Sequence, residues 1–265
     1  MGSLDGKTAL VFGVANKRSI AWGIVEAFLR EGATVGISYA GEVLEKRVFP
    51  LAEEAGITFV EECDVTSDAT LDTVFAKAKE TFGSIDIMVH SVAYAPGEDI
   101  GGRFRDVSRE GFKMALDISA YSMIGMAKRA AEIMPNGGSM MALSYYAAEK
   151  VMPSYNVMAI AKAALENINR YLAVDLGPQG IRVNTISPGP IRTLAAAGVP
   201  GFRTMMKYSE KVTPTRSQVT ADDVGNLAAF LASDSAAQIN GETIYLDGGY
   251  HVLGITLTEN DLGEL

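Results

Sequence analysis

The chain has 265 residues, 48% of them hydrophobic and 21% charged, with a formal net charge of -9. That size gives ample length for a well-buried core, and the acidic balance excludes non-specific binding to nucleic acid or to an anionic membrane surface. A single cysteine, Cys63, excludes an internal disulfide, and with only His90 and His251 no metal site is expected.

No apolar run is long enough to span a bilayer, and the first residues, MGSLDGK, lack the apolar core of a signal peptide, so a reducing cytoplasmic setting is expected. From the N-terminus, short β-rich apolar runs alternate with helical patterns. Strands are predicted at 8–14, 34–39, 58–65, 85–92, 139–145, 181–187 and 242–246. Helices are predicted at 20–31, 43–55, 69–82, 109–134, 155–176 and 221–231, with Pro50 kinking or ending the second. This alternation implies right-handed crossovers and one doubly wound α/β domain over 1–265: a parallel, Rossmann-type sheet of about seven strands with helices on both faces. The stretch Pro188–Thr220 holds Gly198, Pro200, Gly201 and Pro214 and reads as a long substrate-binding loop.

In such a sheet, ligands bind beyond the carboxyl ends of the strands, and the residues there have unusual compositions. After the first strand, Gly13 to Gly23 make a small-residue turn into a helix N-terminus, suited to a pyrophosphate but not the usual GxGxxG. After the second, Ala40-Gly41-Glu42 offers no basic residue before Lys46, which favours NADH over NADPH. The third ends in Cys63-Asp64-Val65, an acid for an adenine amino group beside an apolar packing surface; the competing reading is a helix cap, for which Thr66, Ser67 or Asp68 is better placed. The fourth ends in His90-Ser91-Val92-Ala93-Tyr94-Ala95-Pro96, small enough for a flat cofactor to lie against backbone. The sixth leads into Ser187-Pro188-Gly189-Pro190-Ile191-Arg192-Thr193, where backbone groups suit a carboxamide and Thr193 a phosphate.

Between them lies Ser144 to Lys162, SYYAAEKVMPSYNVMAIAK. Tyr155 and Lys162 are seven residues apart, almost two helical turns, so both fall on one face roughly 10 Å apart. A phenol beside an ammonium is expected to have a lowered pKa and to donate to an oxygen gaining negative charge. A plain surface pair has the same spacing. Tyr146 and Lys150 form a Tyr-x3-Lys decoy, separated from the long helix by Pro153. Thirteen residues before Tyr155 stands Ala142, where a carbonyl reductase normally carries a serine.

Taken together and in order, these motifs resemble the bacterial enoyl-[acyl-carrier-protein] reductases of the short-chain dehydrogenase/reductase superfamily. They are G-x5-S-x-A-x-G (Gly13, Ser19, Ala21, Gly23), CDV at Cys63, HS-x-A-x-AP at His90, Y-x9-Y-x6-K (Tyr145, Tyr155, Lys162), GPIRTLAA from Gly189 and DGG from Asp247. The resemblance covers essentially the whole chain. It implies NADH-dependent reduction of the trans-2 double bond of an enoyl thioester on acyl carrier protein, in fatty acid elongation. It implies Tyr155 as catalytic phenol, Lys162 on the nicotinamide ribose, and Tyr145 as a second active-site tyrosine. It places Gly13, Ser19, Ile20, Asp64, Val65, Ser91, Val92, Ile191, Arg192, Thr193, Leu194 and Ala195 at the cofactor, and Ala95, Met158, Phe202 and Met205 at the acyl chain. Arg203, Lys207 and Lys211 become contacts for an acidic carrier protein, or else a solvated helix face. A homotetramer is implied by the family habit. The competing functions are a short-chain carbonyl reductase and a non-catalytic NADH-binding sensor.

Overall fold

Apolar residues at consecutive strand positions alternate between two cores. Ala9, Val11, Ile87, Val89, Met141 and Leu143 point to one side of the sheet, and Leu10, Phe12, Met88, Met140 and Ala142 to the other. Only a sheet covered on both faces needs such unbroken apolar strands. The computed structural model describes residues 2–193, 196 and 201–256. Among these, seven strands form one parallel sheet: β1 (Thr8–Phe12), β2 (Thr34–Tyr39), β3 (Val60–Glu62), β4 (Ile87–His90), β5 (Gly138–Leu143), β6 (Ile181–Pro188) and β7 (Thr243–Leu246), in the order β3-β2-β1-β4-β5-β6-β7. The order reverses between β1 and β4, which opens a crevice at their carboxyl ends.

The first core lies under α1 (Ile20–Arg30), α2 (Glu42–Glu54) and α9 (Ala221–Ala232). The second lies under α3 (Asp68–Phe82), α6 (Ser122–Ala131) and α7 (Asn156–Leu176). A short α4 (Gly97–Ile100) and α5 (Arg109–Leu116) precede α6, and α8 (Phe202–Val212) precedes α9. Phe12 and Phe28, one in each core, are fully buried; truncating such a side chain to alanine typically costs about 3–5 kcal/mol. Helix α1 and α9 touch so closely that a Cβ on Gly23 would sit 2.5 Å from the Ala221 carbonyl oxygen. Gly23 therefore serves the packing of the two helices.

Three expectations are corrected. Pro50 does not end α2, which continues to Glu54; Pro50 and Lys46 are both exposed, so the Lys46 carbonyl that loses its helical partner can turn to water. The helix predicted over 109–134 is divided by a π-turn at Asp117–Tyr121. The stretch 188–220 is not all loop, because Phe202–Val212 is helical, with Phe202, Met205, Met206, Ser209 and Val212 on its inner side.

Candidate active site

The expected cofactor side is built mainly from backbone. At the end of β1, Gly13 has φ +92, and a Cβ there would lie 2.1 Å from the Ser91 carbonyl oxygen. The exits of β1 and β4 can approach this closely only with glycine at that point. Ser19 caps α1: its hydroxyl accepts from the Trp22 N–H and donates to the Asn16 carbonyl. Ile20 then opens the helix, whose first-turn N–H groups and dipole suit an anion. The Asp64 carboxylate accepts from the Thr66 N–H at 2.9 Å and hydroxyl at 2.7 Å, while Ser67 caps α3. Asp64 is thus held in a turn and exposed beside Val65, and the cap falls to one of the residues better placed for it.

Ser91 and Val92 follow β4 half-buried. The loop they begin is fastened from behind by Ser119, which accepts from the Tyr94 N–H at 3.0 Å and donates to its carbonyl at 3.1 Å. Ser119 lies in the π-turn. There the Ser122 N–H reaches Asp117, and the Ile118 carbonyl instead accepts the Ser122 hydroxyl at 2.7 Å. That hydroxyl also meets His90 Nε2 at 2.7 Å, so His90 is the donor, and its Nδ1 is buried without a partner. Burial, with the charge of Lys162, lowers the His90 pKa to about 3, leaving a neutral ring. The Ser187 hydroxyl at the end of β6 is likewise buried and unpartnered. Ile191 is buried nearby, Arg192 is exposed and Thr193 half-buried; Leu194 and Ala195 lie outside the described residues. A glycine cradle between two strand ends, a capped helix N-terminus and unpartnered polar atoms at strand ends fit a dinucleotide better than a purely structural junction.

The expected substrate side is built from side chains. Ser154, at φ +58, turns the chain after Pro153, and Tyr155 becomes the N-cap residue of α7. The start of this helix is tied to the loop after α4 by the Asn156 amide, which donates to the Gly101 carbonyl at 2.7 Å. Tyr155 and Tyr145 pack edge to face with ring centroids 5.0 Å apart, and the Tyr145 hydroxyl donates to Met205 Sδ at 3.5 Å. Met158 is buried with Ala95, Val157 and Ala161, with Tyr155 packed against them. Tyr145 and Met205 also line a pocket with Tyr146, Pro190, Tyr208 and Tyr250. Phe202 opens α8, half-buried. The structure therefore brings Tyr145, Tyr155, Met158, Ala95 and Met205 together as expected.

Lys162 is buried, and its ammonium donates to the Leu143 carbonyl at 2.6 Å. Burial lowers its pKa to about 8, opposed by Glu166. The expected lowering of the Tyr155 pKa is not what the surroundings give. Part of Tyr155 remains exposed, but its hydroxyl is enclosed; burial, then Tyr145, pushes the phenol well above its ordinary value. Tyr145 is raised to about 12, again chiefly by burial. Tyr155 is thus a protonated donor at neutral pH, suited to a developing oxyanion. Tyr146 of the decoy donates its hydroxyl to the His251 carbonyl at 3.2 Å among Tyr245, Tyr250 and His251, while Lys150 is exposed. Ala142 faces the core of the sheet. The serine that does stand at the end of β5, Ser144, meets Glu166 Oε1 at 2.5 Å. Nothing in the sequence pointed to the Ser144–Glu166 contact, to Ser119 or to Tyr250.

A family model described as enoyl-(acyl carrier protein) reductase matches residues 13–251. The chain belongs to this family. One curated member, the enoyl-[acyl-carrier-protein] reductase [NADH] FabI of Aquifex aeolicus, is 48% identical over 263 residues, covering 99% of this chain and 97% of its own. That of Escherichia coli K12 is 48% identical over 260 residues, covering 98% and 99%. A crystal structure of the Bacillus cereus family member with NADP+ and an indole naphthyridinone has a TM-score of 0.94 at 46% identity, covering 96% of this chain and all of that one. The NADH enzyme of Aquifex aeolicus gives 0.93 at 49% identity, again over 96% and 100%. The match at this level establishes the Rossmann-type fold.

Proposed function

We propose that the protein reduces the trans-2 double bond of an enoyl thioester on acyl carrier protein, with NADH, in fatty acid elongation. The observation that carries this reading is the meeting of Tyr155, Tyr145 and Met205 beyond the carboxyl end of β5, with Lys162 buried on α7, the helix that Tyr155 caps. NADH, when bound, supplies a hydride. Gly13, Ser19 and Ile20 hold the pyrophosphate, and Asp64 and Val65 the adenine. Ser91, Val92 and Ile191–Ala195 hold the nicotinamide half, and Lys162 the ribose hydroxyls. Glu42 and Glu45 in the first turn of α2 put negative charge beyond β2, which disfavours a ribose 2′-phosphate. Tyr155 donates to the thioester carbonyl oxygen as it becomes an enolate. Tyr145 holds the Tyr155 ring and, with Ala95, Met158, Phe202 and Met205, bounds the acyl chain. The occupied Ser144 hydroxyl argues against the carbonyl-reductase reading, because it is not free to bind a ketone oxygen.

The chain acts as one domain, with 188–220 as its substrate-binding segment. Arg203, Lys207 and Lys211 recur every fourth residue on exposed positions of α8, a basic row suited to an acidic carrier protein. Tyr121, Ile124, Tyr171 and Val174 expose apolar surface on α6, α7 and the π-turn, which supports assembly into a homotetramer; light scattering after size exclusion measures it. Among the described residues no helix is long and apolar enough to cross a membrane, in keeping with work in the cytoplasm. The test follows reduced-nicotinamide absorbance, with NADH and NADPH in parallel, on a trans-2-enoyl and a 3-oxoacyl thioester. Oxidation of NADH by the enoyl substrate is expected. A rate only with the 3-oxo substrate overturns the reading, and NADH binding with no rate on either supports the sensor.

A further inference from the structure

Three successive residues at the end of β5 are fastened to three positions of the α7 segment. Leu143 offers its carbonyl to Lys162 at 2.6 Å, Ser144 meets the Glu166 carboxylate at 2.5 Å, and the Tyr145 ring packs on Tyr155 at 5.0 Å. Glu166 is 4% exposed, although it is a carboxylate one helical turn beyond Lys162. Burying a charge without a partner is costly, and the only cation on its own helix within ion-pair range is Arg170, at 3.9 Å and half-exposed. We propose that Glu166, held in place by Ser144 one helical turn beyond Lys162, is a positioning residue: a buried counter-charge to the Lys162 ammonium where the cofactor ribose binds. It touches neither cofactor nor substrate and acts through Lys162, so the proposal rests on the cofactor role given to Lys162 above.

The charges around the pair are few. Burial raises the Glu166 pKa, the Ser144 hydrogen bond opposes this, Glu149 adds to it and Arg170 and Lys162 lower it; Tyr245 of β7 is influenced by Glu166. Lys162 is influenced by Glu166, and His90 of β4, held neutral, by Lys162. Burial draws Lys162 down to about 8 even with Glu166 opposing it. For a lysine that must be charged, binding is complete below its pKa and lost as pH rises through it. Removing the counter-charge moves that loss to lower pH.

The experiment is the pH dependence of NADH affinity, read by fluorescence titration, for the wild type, Glu166→Gln and Ser144→Ala. Wild-type affinity is expected to fall as pH rises through about 8. In Glu166→Gln the fall is expected roughly one pH unit lower, with affinity at the acidic plateau within about twofold of wild type. Ser144→Ala, which preserves the carboxylate, is expected to shift the fall in the same direction by less. An unmoved midpoint in both variants overturns the proposal, as does a loss uniform at every pH, which is the mark of a purely structural role. A shifted midpoint in a protein without enoyl turnover leaves the pair standing and removes the proposed reaction instead. Wild-type affinity that does not fall with pH removes the role given to Lys162, and the counter-charge with it.

Discussion

The two sides of the site are built by different means. On the proposed cofactor side, strand ends, a glycine and a helix N-terminus present backbone fixed by the two cores; Gly13, Ser91 and Val92 stand where β1 and β4 leave the sheet, and Ser19 caps α1. On the proposed substrate side, the geometry depends on a few side-chain contacts between elements: Tyr145 on Tyr155, Tyr145 on Met205, and Tyr208 on Thr256. Helix α8 buries Val212 alone. A region held by backbone and core fails as a unit when disturbed, whereas one held by single contacts can lose one function at a time.

The sharpest test of that contrast is Tyr155→Phe, which removes one hydroxyl and leaves the ring packing. Turnover on the enoyl thioester is expected to fall about a hundredfold or more, with NADH affinity within about twofold of wild type; a retained rate would sink the role of Tyr155. Next comes Gly13→Ala. A Cβ meeting the Ser91 carbonyl at positive φ is expected to weaken NADH binding at least about tenfold and to lower the melting temperature as well. NADH binding and melting unchanged in this variant would break the comparison. A smaller effect is expected for Met205→Ala: KM for the enoyl substrate rising about three- to tenfold, with NADH affinity and melting temperature unchanged. The smallest is expected for the double charge reversal Arg203→Glu with Lys207→Glu. It should raise KM about threefold for a carrier-protein thioester and not for the coenzyme A thioester. Equal effects on both substrates would assign that row to ordinary solvation.

What the sequence disclosed follows the same division. Unbroken apolar strands separated by amphipathic helices fix a parallel sheet, and small residues at strand ends mark the crevice, because both are local patterns. The Tyr155–Lys162 spacing was legible for the same reason. What escaped depends on the tertiary structure. The Ser144–Glu166 contact joins residues 22 positions apart. The π-turn rests on a shift from i+4 to i+5 hydrogen bonding that no residue type announces. Helix α8 was legible only as a face for Arg203, Lys207 and Lys211, because its flanking Gly201 and Pro214 give the stretch a loop composition that masks the spacing of Phe202, Met205 and Met206. The lowered tyrosine pKa was inferred from proximity alone. The environment instead buries the Tyr155 hydroxyl and directs the Lys162 ammonium to Leu143.

The strand order also bears on how the molecule reaches this state. β1 pairs with β4, and the Thr8 N–H reaches the Asp86 carboxylate across 78 residues of sequence. Closing so long a loop is slow, and contacts of this kind dominate the folding times of mixed α/β chains. Gly13 and Ser91 meet only once that closure is complete, so the crevice forms with the last long-range event of its half of the sheet. During refolding from denaturant, the return of NADH binding should therefore lag behind the return of helical circular dichroism.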